Sequence, residues 1–239
     1  MPDSKPLAGQ IALITGGSRG IGLAIARRLG QMGAHVAICA RDSDTLRKAE
    51  TMLLEAGVQA LTFSADVTHT EQIAALVAQV RQQLGEIDIL VNNAGVDAFG
   101  DFLTLTAADW ERVMNTNLKA VFLLSHAVAP GMIARRTGHI VNISSLAGKN
   151  TFAGGSVYCA SKWGLQGLTA CIAEDLRGHS IRVSSVCPGS VRTEFSPHEG
   201  RDTAKMLQPD DVAHVVAMLV TQSPTGFASE VLLRPTQKP

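Results

Sequence analysis

The chain has 239 residues, 46% hydrophobic and 18% charged, with a mean hydropathy of +0.15; that composition supports a buried core and excludes a disordered chain. Lys+Arg and Asp+Glu balance at 21 each, so no net field exists to recruit nucleic acid or an anionic membrane, and neither is expected as a partner.

The opening MPDSKPLAGQ carries no apolar leader, and no apolar run approaches the ~18 residues needed to cross a bilayer, so the expected location is the cytoplasm. A first buried strand is predicted at IALIT (11–15), running directly into TGGSRGIG (15–22) and a helix at 21–32. In such a turn Gly16, Gly20 and Gly22 pass close to a pyrophosphate, present backbone N–H groups to it and let the helix pack on the sheet. Nucleotide binding is the functional reading and a plain tight turn the alternative. The second strand, HVAICA (35–40), ends at Ala40 and Arg41. NAD-selective folds hold an Asp or Glu there for the ribose hydroxyls. Arg41, with Arg19 in the glycine loop, suits a 2′-phosphate instead, so NADP is the expected cofactor.

Further along, a helix is predicted at 43–56, a strand at ALTFS (60–64), and a capping box THTE (68–71) opening a helix at 70–84. IDILVN (87–92) is the fourth strand, and NNAG (92–95) follows it. Its asparagines can tie neighbouring loops, and Gly95 leaves room for a cofactor. Then come a helix at 107–129, a strand at HIVNIS (139–144), a helix at 158–177, a strand at IRVSSVC (181–187), a helix at 210–221 and a strand at EVLLRP (230–235). Seven strands alternating with helices, without linker or repeat, predict an α/β fold. It is a doubly wound seven-stranded parallel sheet of Rossmann type, one domain over 1–239. The aperiodic stretch 194–208 is a candidate loop over a site. Cys39, Cys159, Cys171 and Cys187 show no metal-ligand or disulfide spacing. They read as small apolar fillers in a reducing compartment, and no metal is expected.

YCASK (158–162) places Tyr158 and Lys162 on one helical face, a spacing that alone also arises by chance. Joined to TGxxxGIG, Asp66 after the third strand, NNAG, Asn117 in NTNL, Ser145 in NISS, and Pro188 and Gly189 with Thr193 beyond, it resembles the short-chain dehydrogenase/reductase family. The likeness is to its compact single-domain branch, and within it to 3-oxoacyl-acyl-carrier-protein reductases. It covers nearly the whole chain. It implies an NADPH-dependent carbonyl reductase, or in reverse an alcohol dehydrogenase.

Carried over by position, the resemblance makes Tyr158 the proton donor to the carbonyl oxygen. Lys162 lowers its pKa and holds the nicotinamide ribose, Ser145 donates a hydrogen bond to the carbonyl oxygen, and Asn117 holds a proton-relay water. An ammonium about 4 Å from the phenol contributes on the order of 4 kcal/mol at an effective dielectric of ~20, enough for ~3 pKa units. Cofactor contacts are implied for Gly16, Ser18, Arg19, Gly20, Ile21, Gly22, Arg41, Asp66, Val67, Asn93, Ala94, Gly95, Tyr158, Lys162, Pro188, Gly189, Val191 and Thr193.

For substrate, 3-oxoacyl thioesters come first. ARRTGH (134–139) resembles a basic segment that docks acyl carrier protein, against a plain reading as two solvated arginines. Small β-hydroxy acids, which the RPT near the end suits, are the alternative. A non-catalytic NADPH-binding scaffold is disfavoured because Ser145, Tyr158 and Lys162 are all kept. WGLQGLTACIA (163–173) and AVFLLSHAVAPGMIA (120–134) carry no charge with His126 neutral, so a homodimer or homotetramer is expected to cover them. The chain ends EVLLRPTQKP where many relatives read VDGG, which bears on specificity and assembly and leaves the chemistry alone.

Overall fold

A computed structural model describes residues 5–195, 200 and 202–239. The strands are β1 (Ile11–Thr15), β2 (His35–Ala40), β3 (Ala60–Ser64), β4 (Ile89–Asn92), β5 (His139–Ile143), β6 (Arg182–Pro188) and β7 (Glu230–Leu233). They form one parallel sheet in the order β3-β2-β1-β4-β5-β6-β7. The helices are α1 (Gly20–Gln31), α2 (Ser43–Glu55), α3 (Thr70–Gln83), α4 (Ala107–Met114), α5 (Ala120–Arg135), α6 (Ser156–Arg177) and α7 (Pro209–Val220).

Both faces of the sheet are covered, which is why its strands read as unbroken apolar runs rather than alternating ones. Successive residues still separate by the pleat. Ala12 and Ile14 join one core with Ile25 and Leu29 of α1, Leu46 of α2 and Val216 of α7. Leu13 joins the other core with Leu76 of α3 and Leu124 and Met132 of α5. From β1 the sheet grows one way to β2 and β3, then resumes on the other side at β4. The carboxyl ends of β1 and β4 therefore diverge, and a crevice opens there.

Three expectations need correction. THTE forms no capping box, because Thr68 Oγ1 donates to Asp66 Oδ1 at 2.8 Å and His69, with no side-chain cap bond, takes the cap position. Boxes form instead at Thr106 with Asp109 and at Gln208 with Asp211. The helix expected at 107–129 runs to Arg135, through a π turn at Asn115–Lys119 and past Pro130. By length and composition alone Ala107–Arg135 could cross a bilayer. Here Val121, Leu124, Val128 and Met132 bury against the domain. Cys171 is exposed rather than a core filler. Within the aperiodic 194–208 stretch, residues 196–199 and 201 lie outside the described residues.

Candidate active site

A cavity of about 1420 Å³ follows the carboxyl ends of the strands, from Arg41 and Asp66 past the glycine loop to Tyr158 and Phe152. Gly16 has φ +63 and a Cβ there would come within 3.0 Å of Ala94 Cα, so only glycine lets the two loops approach. A Cβ on Gly22 would run into the Gly16 carbonyl. Gly17, which the glycine spacing did not single out, donates its N–H to Cys39 O at 3.1 Å, and a Cβ would meet Ile38 Cβ at 2.6 Å. It seats the loop on β2. The first turn of α1 carries no acidic side chain, so its positive end and free N–H groups face the crevice without competition. That cradle fits a dinucleotide pyrophosphate.

Across the crevice, Thr15 Oγ1 accepts from the N–H groups of Asn93 and Ala94, each at 3.0 Å. Asn93 Nδ2 donates to Thr15 O and Gly16 O at 2.9 and 3.1 Å. This is the expected asparagine tie, made by Asn93. Asn92 turns inward and donates to Asn142 Oδ1 at 2.8 Å.

At the adenosine end Arg41 is exposed on the cavity wall. Arg19, expected as a second phosphate-binding cation, is paired with Glu194 at 3.0 Å, so the pair spans from the glycine loop to the segment after β6. Burial pushes the Asp66 carboxyl up, but the Thr68 N–H and O–H and the Arg41 charge bring it net below the usual range. Val191 bridges to Leu207, which brings the post-β6 segment back along the cavity.

At the opposite end Lys162 lies one turn beyond Tyr158, as the spacing predicted. Its ammonium makes its hydrogen bond to the backbone, however. Lys162 Nζ donates to Ile143 O at 3.0 Å and sits 5.7 Å from the centre of the Tyr158 ring. Burial pulls the lysine down to about 8. Burial also pushes the Tyr158 phenol up to about 12, with a hydrogen bond to Ser145 opposing and the Asp97 charge reinforcing. The expected lowering of the phenol by Lys162 is thus absent here, and Tyr158 holds its proton.

Asn117 sits in the π turn, buried, with its side chain fully engaged as donor. Its Nδ2 donates to Val96 O at 2.8 Å and Ser161 Oγ at 3.1 Å, and Oδ1 accepts from Val96 N at 2.9 Å. It ties the loop after β4 to α6. Every sequence-predicted site residue lines the one cavity except Gly22 and Asn117, which stand just behind its wall.

Sequence reasoning missed an aromatic group. Phe99 packs edge-on to Tyr158 with ring centres 5.2 Å apart, Phe195 lies 6.1 Å from Tyr158, and Phe152 lies 5.8 Å from Phe99. The three come from separate loops, where no periodicity marks them. ARRTGH, in contrast, runs from the end of α5 into the amino end of β5, at the end of the sheet opposite the cavity. Arg135 pairs with Asp88 and donates to Ile87 O at 2.8 Å, and Arg136 donates to Gly178 O at 3.4 Å.

A glycine cradle at the switch point, continuous with a buried tyrosine and lysine and a half-buried serine, defines a nucleotide-dependent oxidoreductase of the doubly wound class. Residues 10–204 match the profile of the short chain dehydrogenase family, and the chain belongs to that family. It is 39% identical to a putative ketoacyl reductase of Streptomyces coelicolor, over 93% of this chain and 94% of that protein. It is 35% identical to a glycine betaine reductase of Emericella nidulans, where 98% of this chain matches only 19% of that longer protein. Among solved structures, a metagenomic short-chain oxidoreductase in complex with NADP is 50% identical. The match covers 98% of this chain and 100% of that one, with a TM-score of 0.87.

Proposed function

We propose that this enzyme is a carbonyl reductase that uses NADPH to reduce a ketone to a secondary alcohol, and that the reaction also runs in reverse. The observation that carries this reading is a buried Tyr158 that shares with Ser145 and Lys162 the wall of the cavity that the glycine loop opens, where burial favours the protonated phenol. NADPH, when bound, supplies a hydride to the carbonyl carbon. Gly16, Ser18, Gly20, Ile21 and the first turn of α1 hold its pyrophosphate, and Arg41 faces its 2′-phosphate. Asp66 and Val67 meet the adenine, and Asn93, Ala94, Gly95, Pro188, Gly189, Val191 and Thr193 line the nicotinamide half.

Tyr158 gives its phenolic proton to the carbonyl oxygen, and Ser145 donates a hydrogen bond to that oxygen as negative charge builds there. The Lys162 ammonium, 5.7 Å from the centre of the Tyr158 ring, would stabilise the phenolate left behind; a unit charge at ~6 Å contributes about 3 kcal/mol at an effective dielectric of ~20. Asn117 positions α6 by holding the loop at Val96.

The ketoacyl reductase relative supports 3-oxoacyl thioesters as candidate substrates. Docking of a carrier protein on Arg135 and Arg136 draws little support from their internal bonds. Small β-hydroxy acids draw on one observation, the Arg192 side chain on the cavity wall. Phe122 and Trp163 are about half exposed, at 48% and 49%, on the uncharged faces of α5 and α6, and these support a homodimer or homotetramer. Four free cysteines suit the reducing cytoplasm.

The test is NADPH oxidation followed at 340 nm over a panel of ketones, 3-oxoacyl thioesters and β-oxo acids. Turnover is expected for at least one carbonyl class. NADPH binding with no turnover of any of them would return the chain to a non-catalytic scaffold.

A further inference from the structure

The substrate half of the cavity has a wall that neither the glycine cradle nor the proton-transfer groups require. Phe99, Phe152 and Phe195 are 44%, 50% and 41% exposed, although each sits in or next to ring contact with Tyr158. Twelve large hydrophobics are exposed among the described residues, and three of them, Phe99, Phe152 and Phe195, line this one cavity. Contiguous exposed apolar surface marks a contact site. Tilted and edge-on rings around an open centre leave faces and edges for another ring.

The ionisable group nearest the phenol on that loop is Asp97, whose carboxyl is pushed up by burial and whose charge in turn disfavours ionisation of Tyr158. A carboxylate substrate would meet like charge there, with Arg192 the opposing cation on the cavity wall.

Resting on the carbonyl reductase reading, we propose that the cavity selects a ketone carrying a bulky apolar ring. The ring would be seated among Phe99, Phe152 and Phe195 while the carbonyl oxygen lies against Tyr158 and Ser145. A phenyl group that removes ~100 Å² of apolar surface from water, at about 25 cal/mol per Å², gains on the order of 50-fold in kcat/KM over a methyl-sized substituent.

The experiment compares kcat/KM with NADPH for phenylacetone, cyclohexylacetone, butanone and acetoacetate, in the wild type and in Phe152→Ala and Phe99→Ala. Phe152 is half exposed, so its removal leaves the core intact, and thermal unfolding confirms that each variant is folded. Expected are a ~50-fold advantage of the two ring ketones over butanone and acetoacetate, and a fall in that ratio of fivefold or more in each variant. Acetoacetate or butanone reduced as well as the ring ketones would overturn the proposal and leave the reductase reading standing. An unchanged ratio in both variants would overturn the seating. No turnover of these ketones while a 3-oxoacyl thioester is reduced would overturn the proposal and leave the reductase reading standing; no turnover of any of these carbonyls would remove both.

Discussion

Cofactor choice rests on two guanidinium groups in unequal states. Arg41 is exposed on the cavity wall, whereas Arg19 is held by Glu194 at 3.0 Å, with the two side chains 66% and 78% exposed. A charge-assisted hydrogen bond to a 2′-phosphate is worth about 1.5 kcal/mol, so Arg41 alone gives roughly a 10-fold preference for NADPH over NADH. Arg19 must first release Glu194, and an exposed ion pair of this kind is worth about 0.2–1 kcal/mol. Its net contribution is therefore about 0.5–1.3 kcal/mol, and the two together predict a preference of roughly 30-fold to 100-fold.

Glu194→Gln should raise that preference by about 1.4-fold to 5-fold, because the competitor for Arg19 is gone. Arg41→Ala should lower it about 10-fold. The assay is kcat/KM for each nicotinamide cofactor at saturating ketone, repeated at high salt, where exposed charges are screened and the preference should shrink. Equal efficiencies with NADH and NADPH in the wild type would refute the reasoning at Arg41. A preference that falls in Glu194→Gln would refute the competition at Arg19.

Tyr158→Phe keeps the ring contacts with Phe99 and Phe195 and should cut turnover by about 100-fold or more with NADPH binding near normal, as cofactor fluorescence titration and steady-state rates will show. Reduction should fall as pH rises past about 8, where Lys162 loses its charge; a kcat/KM profile still level at pH 9.5 would contradict the part given to the ammonium. His139 is fully buried and depressed to about 3 by burial and then by the Arg182 charge. Its neutral form stabilises the fold above pH 6.5, and that contribution is lost as pH falls from 6.5 toward 3, about 2.7 kcal/mol by pH 4.5. Urea midpoints should drop over that range and flatten in His139→Gln. Gly22→Ala would place a Cβ against the Gly16 carbonyl and should weaken cofactor binding at least tenfold, read by the same fluorescence titration.

What could be read from the chain follows the range of the forces involved. β1 and β2 appeared at their observed residues because each is buried on both faces, and all three of β1, β2 and β3 are bounded by turn glycines or charged residues, which are local signals. The glycine cradle was legible for the same reason, since a positive φ at Gly16 and Gly20 is a demand made on one residue at a time. Gly17 escaped because its need arises from Ile38 on another strand. The aromatic group at Tyr158 escaped because Phe99, Phe152 and Phe195 come from three loops more than forty residues apart, brought together only by the strand order.

The same distinction explains why helical spacing gives the placement of Tyr158 and Lys162 but not the protonation of the phenol. Helical spacing places both side chains on one face, which is geometry internal to α6. The protonation of the phenol depends on what surrounds it, and those groups come from elsewhere. Ile143 O, at the end of β5, accepts from the ammonium at 3.0 Å. Phe99 and Phe195 close over the ring and help to desolvate it, and Asp97 adds like charge. Burial disfavours both charged forms, so the phenol keeps its proton and the lysine is drawn toward losing one. A protonated donor is what reduction of a ketone requires in its resting state. The cation beside it counts most after the proton has left, when a phenolate in a dry wall would otherwise stand alone. In the proposed reduction the desolvating rings and the lysine would act on opposite sides of one transfer: Phe99 and Phe195 would favour the protonated phenol before a ketone arrives, and Lys162 would stabilise the phenolate afterwards.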